Sequence, residues 1–297
     1  MEKFELVSEG YPLSLAIFSA KNAKASIQIV HGMEEHKERY YDFANFLVDN
    51  GYNVIVSDLR GHGESAPNLS HIADKKGDEL LIKDQQEITR YITKRFLGVP
   101  IILFGHSMGT IISRNLLQSD SNQYIKVVLS GYVNPNPASP VAVFLGNTVK
   151  LFKGSKRHSK LLTTLAMGPF KKAVKNRKTD LDWLSKNEEN VQNYIKDPYC
   201  GVEFTIGSYC ALFHLLNNMK KANKYKAINK ELPFLLISGE EDPCTGGEKG
   251  RKASIKVLEK AGFKNIEVET IKDMRHEILN ENDKQKVYDD ILNFLNK

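Results

Sequence analysis

Ser107 stands in the pentapeptide Gly105-His106-Ser107-Met108-Gly109, straight after the apolar run "PIILF" and straight before the helical pattern "TIISRNLLQ". A serine hydroxyl is a weak nucleophile until a base takes its proton, and a tight strand-to-helix turn lifts its Oγ clear of the sheet. Glycines at 105 and 109 are what such a turn demands, because side chains there would collide with neighbouring elements. The helix beyond the turn offers free N–H groups and a positive dipole end to an oxyanion. On a sheet of this kind the partners follow in the order Ser, acid, His. Asp242 comes just after the strand "PFLLISG", with Glu240 and Glu241 as rival acids. His276 comes after the strand "NIEVETI" and is the one histidine beyond residue 214. Ser107, Asp242 and His276 therefore predict acyl transfer, with His276 as the base and Asp242 holding its tautomer.

The stretch "IVHGMEEH", Ile29 to His36, offers two chemistries. Two histidines and two glutamates within six residues suggest a metal site. Spacing argues against it: His31 and His36 are five apart with Gly32 between them, whereas a helical zinc pair needs i and i+4 on one face. His31 also ends a strand. An anion-binding loop asks only for a flexible glycine and a free N–H after it, which Gly32 and Met33 supply. No metal and no cofactor are expected. "DLRGHGES" reads as a structural loop, with Asp58 and His62 outside the catalytic set and Arg60 paired. His214 lies on an apolar helical face and reads as a buried histidine.

These residues need elements to hold them. "KFELVS" and "LSLAIFS" are β-rich runs with no helix between them, which predicts an antiparallel hairpin at a sheet edge. "ASIQIVHG", "YNVIVSDLRG", "PIILFGHSMG", "IKVVLSG", "LPFLLISG" and "NIEVETI" are strands, the helices "RYYDFANFLVDNG", "DELLIKDQQEITRYITKRF", "TIISRNLLQ", "KASIKVLEKAG" and "KQKVYDDILNFLNK" lying among or after them. Such alternation predicts a mostly parallel sheet covered on both faces. The pattern breaks after "NPNPASP", where only helical segments such as "VFLGNTVKLF" and "LDWLSKNEENVQNYI" occur. The division is thus a core, 1–133 and 227–297, and a helical lid, 134–226. Val143, Phe144, Leu145, Leu161, Leu162 and Leu165 of the lid either line an acyl-chain tunnel or pack the lid itself.

The chain of 297 residues is long enough to bury a catalytic cleft. Between Asn134 and Lys230 lie 17 of its 42 basic residues but only 6 of its 36 acidic ones. A solvated lysine-rich face explains this, and so does peripheral contact with an anionic membrane surface. Nucleic acid is not expected, because no aromatic interleaving accompanies the basic residues. The beginning of the chain has no apolar signal region, and no apolar run reaches the roughly 20 residues of a membrane span. Cys200, Cys210 and Cys244 lack metal-ligand spacing and read as buried free thiols in a cytoplasmic protein.

"HGMEEHKERY" resembles the HGxxEHxxRY block of the monoacylglycerol lipase and lysophospholipase branch of the α/β-hydrolases, a serine aminopeptidase-like family. "SDLRGHGES", "GHSMGT", "SGEEDP" and "DMRHEILNE" resemble its other blocks, and "LDWLSKNEENVQNYIKDPYCGVEFT" is similar to the lid of bacterial members. The resemblance implies an α/β-hydrolase fold, an eight-stranded sheet with an inserted lid. It makes Ser107 the nucleophile, Asp242 the acid and His276 the base, and gives Met33 and Met108 the oxyanion-hole N–H groups. The implied substrate is a small-molecule lipid ester, a monoacylglycerol or a lysophospholipid. A small-ester carboxylesterase or a prolyl-type aminopeptidase keeps the same triad, while a non-catalytic lipid or partner binder would have no need of it.

Overall fold

The computed structural model describes residues 1–226 and 228–297. β1 (Glu2–Ser8) and β2 (Tyr11–Phe18) form the antiparallel hairpin at one edge, turning through Glu9 and Gly10. β3 (Ala25–Val30), β4 (Tyr52–Ser57), β5 (Ile101–His106), β6 (Lys126–Ser130), β7 (Phe234–Gly239) and β8 (Ile266–Ile271) complete an eight-stranded sheet in the order β1-β2-β4-β3-β5-β6-β7-β8. β2 runs antiparallel to β4, and every later pairing is parallel. All residues of β3, β4, β5 and β7 are buried, as continuous apolar strands covered on both faces must be. β8 is the other edge and stays largely exposed.

The helices are α1 (Tyr41–Asp49), α2 (Gly77–Arg95), α3 (Met108–Asp120), α4 (Ser139–Lys153), α5 (Lys160–Lys171), α6 (Glu188–Lys196), α7 (Ile206–Met219), α8 (Gly247–Ala261) and α9 (Lys284–Asn296). Strand periodicity divides the core between the two faces. Ile102 and Phe104 of β5 share a cluster with Phe43 of α1 and Ile291 of α9, while Ile101 and Leu103 belong to the cluster holding α2, α3 and α7. α3 lies so close to β3 that a Cβ on Gly109 would fall 2.0 Å from the Val30 carbonyl oxygen. One on Gly105 would fall 2.6 Å from Ser113 Oγ, so glycine is required on both sides of Ser107.

α4 to α7 intervene between β6 and β7, where the sequence breaks its alternation. Position 227, at which the sequence reading resumes the core, lies outside the described residues. "LDWLSKNEENVQNYI" is helical only from Glu188, because the Asn187 side chain accepts the Glu189 and Asn190 amides and caps α6 there. Leu181 to Asn187 is instead an irregular segment. Among the described residues no helix is long and apolar enough to cross a membrane.

Candidate active site

Ser107 follows β5 directly, with φ 51° and ψ −120°, a conformation that non-glycine residues rarely adopt. This backbone is what aims the side chain away from the sheet. His276 Nε2 lies 2.8 Å from Ser107 Oγ, and His276 Nδ1 lies 3.0 Å from Asp242 Oδ2. Asp242 in turn accepts the Cys244 amide through Oδ1 at 2.8 Å, which fixes the carboxylate plane. The structure thus brings Ser107, His276 and Asp242 into one hydrogen-bonded chain, although 169 residues separate the first pair. Glu240 and Glu241, the rival acids, are exposed.

Burial opposes charge on His276, but the adjoining Asp242 carboxylate outweighs it and holds the imidazole well above the usual histidine range. Cys244 Sγ is 4.0 Å from His276 Nε2, and burial pushes that thiol up to about 11. It therefore stays a neutral neighbour at physiological pH. His106 packs on His276 with ring centroids 4.9 Å apart. Burial, reinforced by His276, lowers it to about 3, so it adds no second positive charge.

The "HGMEEH" loop is held from several directions. His31 Nδ1 meets the Gly32 carbonyl oxygen at 2.8 Å and Nε2 accepts the Leu59 amide at 2.9 Å, so both ring nitrogens are occupied. Glu35 accepts the Gly32 amide at 2.6 Å and the Tyr40 hydroxyl at 2.8 Å. A Cβ on Gly32 would lie 2.5 Å from Glu35 Oε1 and 3.0 Å from Ser107 Cβ, so the loop passes the serine only because residue 32 is glycine. Met33 and Met108 both join Ser107 and His276 in the wall of one cavity. Among the described residues neither amide donates to a protein acceptor; for Met108 that is natural at the first turn of a helix.

Sequence reasoning missed the network that ties this loop to His276. Arg39 grips Glu277, the next residue after His276, through two bonds of 2.7 Å, and also approaches Glu35 at 3.5 Å. Asn190 of α6 bonds both Arg39 and Glu277. Its only sequence signal was the presence of Glu35 and Arg39 in one block and Glu277 in another. Removing one member of a buried pair strands the other charge, at about 3–5 kcal/mol. Arg39→Met should lose that much stability in urea unfolding; a loss under 1 kcal/mol would show the network to be dispensable.

The cavity has a volume of about 300 Å³ and a mostly apolar wall. Of the six residues that the sequence offered for it from the helical insert, Leu165 alone contributes. Leu162 is fully buried in the core, while Phe144 and Leu161 are 70% and 56% exposed. The wall is made instead by residues such as Ile111, Ala142, Met167, Phe170, Trp183 and Phe213. His214 is half-buried near Asn147 and lies outside that wall. Trp183 packs against His276 with ring centroids 5.0 Å apart and the planes tilted by 38°. Its irregular segment is clamped to the histidine loop: Leu184 O accepts the Glu277 amide at 2.7 Å, and Asp182 O accepts from Arg275 at 2.7 Å.

Among the described residues ligand-type side chains converge in two places, His36 with Asp197 and Cys200, and Asp242 with Cys244 and His276. Each holds an internal bond, His36 Nε2 to Asp197 at 2.8 Å and His276 to Asp242. Burial pushes the Cys200 thiol upward, which disfavours the thiolate that a metal requires.

Sheet order, elbow and loop geometry define an α/β-hydrolase. The family described as "Serine aminopeptidase, S33" matches residues 21–283. The chain belongs to this family, in its monoacylglycerol lipase and lysophospholipase branch. It is 27% identical over 224 residues to the monoglyceride lipase of Homo sapiens, a match covering 74% of this chain and 65% of that one. The chain thus spans just under two thirds of the length of that relative. With the monoacylglycerol lipase of Mycolicibacterium smegmatis it is 26% identical over 275 residues, 91% of this chain and 87% of the other. The crystal structure of a thermostable carboxyl esterase from Bacillus coagulans superposes with a TM-score of 0.92 at 21% identity, covering 99% of this chain and 97% of that one.

Proposed function

We propose that the protein is a serine hydrolase that cleaves carboxylic esters of single-chain lipids. The observation that carries this reading is the Ser107–His276–Asp242 chain, opening into an apolar cavity of about 300 Å³. That volume is at the lower end of the ligand-pocket range, ~300–1,000 Å³. The curated relatives named for monoacylglycerol lipase activity support the substrate class.

In this reading His276 Nε2 takes the Ser107 proton as Oγ bonds to the ester carbonyl carbon. The carbonyl oxygen becomes the oxyanion and receives the Met33 and Met108 N–H groups, each such donor worth about 3 kcal/mol. As the tetrahedral intermediate collapses, the ester C–O bond breaks and His276 returns the proton to the leaving alcohol. Water then repeats the cycle on the acyl-enzyme, giving fatty acid and free Ser107. Asp242 orients the imidazole throughout.

Residues 134–226 act as the lid over this cavity, and its outer surface touches lipid. Phe144, Leu151 and Phe152 of α4 are 70%, 80% and 81% exposed, and Lys150 and Lys153 lie beside them. Apolar anchors bordered by lysines suit an anionic bilayer surface. The protein should co-sediment with phosphatidylglycerol vesicles and be released progressively by salt; retention that ignores salt would refute the electrostatic contribution. Three free thiols, all buried, fit a cytoplasmic location.

A panel of nitrophenyl esters, monoacylglycerols, lysophospholipids and aminoacyl amides tests the main reading. A monoacyl lipid ester should be turned over fastest, and fastest turnover of an aminoacyl amide would sink the lipid assignment.

A further inference from the structure

The wall of the cavity is asymmetric in charge. Glu34, Glu35 and Glu277 contribute to it, whereas among the described residues no lysine or arginine does. Arg39 offsets Glu35 and Glu277. Glu34 makes no ion pair among the described residues; its Oε1 takes the Phe204 amide at 3.2 Å. The residue is fixed by its main chain, with a left-handed φ of 57° and a carbonyl that accepts the Tyr194 hydroxyl at 2.7 Å and the Gly201 amide at 2.9 Å. It directly follows Met33, on the loop that passes Ser107.

We propose that Glu34 sets head-group selectivity, admitting an alcohol that carries hydroxyl donors and no negative charge and refusing one that carries a phosphate. The inference rests on the ester-hydrolase reading of the same cavity. A hydroxyl can donate to the carboxylate, so a polyol replaces water bonds with a charge-assisted one. A phosphate brings like charge to a half-buried carboxylate with no lysine or arginine in the wall among the described residues, where effective dielectric is far below that of water. Burial pushes the Glu34 carboxyl up to about 7; Glu203 acts in the same sense, while the Phe204 amide and Lys171 oppose. The Tyr194 and Tyr209 phenols, both raised mainly by burial, also feel its charge. Selectivity should accordingly be assayed at about pH 8.5, above this value, where the carboxylate form dominates.

The test uses a matched pair below micellar concentration, octanoyl glycerol and the same ester with phosphate on the glycerol. The wild-type protein should favour the neutral ester in kcat/KM on the order of 100-fold. Glu34→Gln should narrow that ratio at least tenfold, and Glu34→Gly, suited to the positive φ, should act in the same direction. A wild-type ratio within threefold of unity, or a ratio that Glu34→Gln leaves unchanged, would overturn the proposal. Binding gives a readout independent of turnover, because the chain's single tryptophan, Trp183, packs against His276 in this wall. Fluorescence titration of Ser107→Ala should rank the two ligands the same way, and adding Glu34→Gln should erase the ranking. That result with no hydrolysis of either ester would strike the hydrolase reading and leave the charge selectivity standing; equal binding of both ligands would overturn the selectivity itself.

Discussion

Ser107→Ala should lower kcat on a monoacyl ester by about a millionfold, with little change in KM. The magnitude follows from position. Ser107 Oγ is 2.8 Å from the imidazole that Asp242 orients, and residue 107 is held at φ 51° by glycines that allow α3 to press on β3. Alanine leaves that backbone and the cavity wall in place, so substrate still binds and only the bond-forming atom is lost. What remains is the stabilisation given by loop amides and binding, about 10³–10⁴ over water. The check is steady-state kinetics at saturating ester, with circular dichroism to confirm the fold. Retention of more than 1% of wild-type kcat would move the nucleophile elsewhere, and Cys244, 4.0 Å from His276, would be the first place to look.

Asp242→Asn should cost about 10⁴ in kcat, because the amide turns the imidazole toward the wrong tautomer while keeping its place. A second consequence distinguishes this from simple damage. His276 must be neutral to take the serine proton, and burial opposed by the Asp242 carboxylate leaves its folded pKa raised above 6.5. In the wild type, kcat/KM therefore falls as pH drops through that raised value. Without the carboxylate burial prevails, and the acid limb of the residual activity should move to lower pH. A limb that stays fixed would mean that a group other than His276 controls it.

The meeting of Ser107, Asp242 and His276 was legible because each adjoins an apolar strand whose end the sequence marks. "PIILF", "PFLLISG" and "NIEVETI" are continuous runs, and in a parallel sheet their carboxyl ends share one edge. Gly32, Gly105 and Gly109 were legible for a related reason, since close backbone approach excludes every side chain there. The helical insert between β6 and β7 was not legible in the same way. Helical periodicity shows that α4 and α5 each have an apolar face, yet it cannot say whether that face meets core, cavity or solvent. Leu162, Leu165 and Phe144 went to those three destinations in turn. Trp183 was hidden for a different reason, as its segment leaves helical geometry to reach His276. The Arg39–Glu277 pair joins residues 238 positions apart, and charge alone gives no sign of such pairing.

The central claim is that Ser107 is a nucleophile activated by His276. A fluorophosphonate probe followed by intact-mass and peptide mass spectrometry tests it most directly. One probe should attach per chain, on the peptide holding Gly105 to Gly109, and labelling should vanish in Ser107→Ala and slow by orders of magnitude in His276→Ala. Labelling at another residue, or undiminished labelling of Ser107→Ala, would contradict the claim.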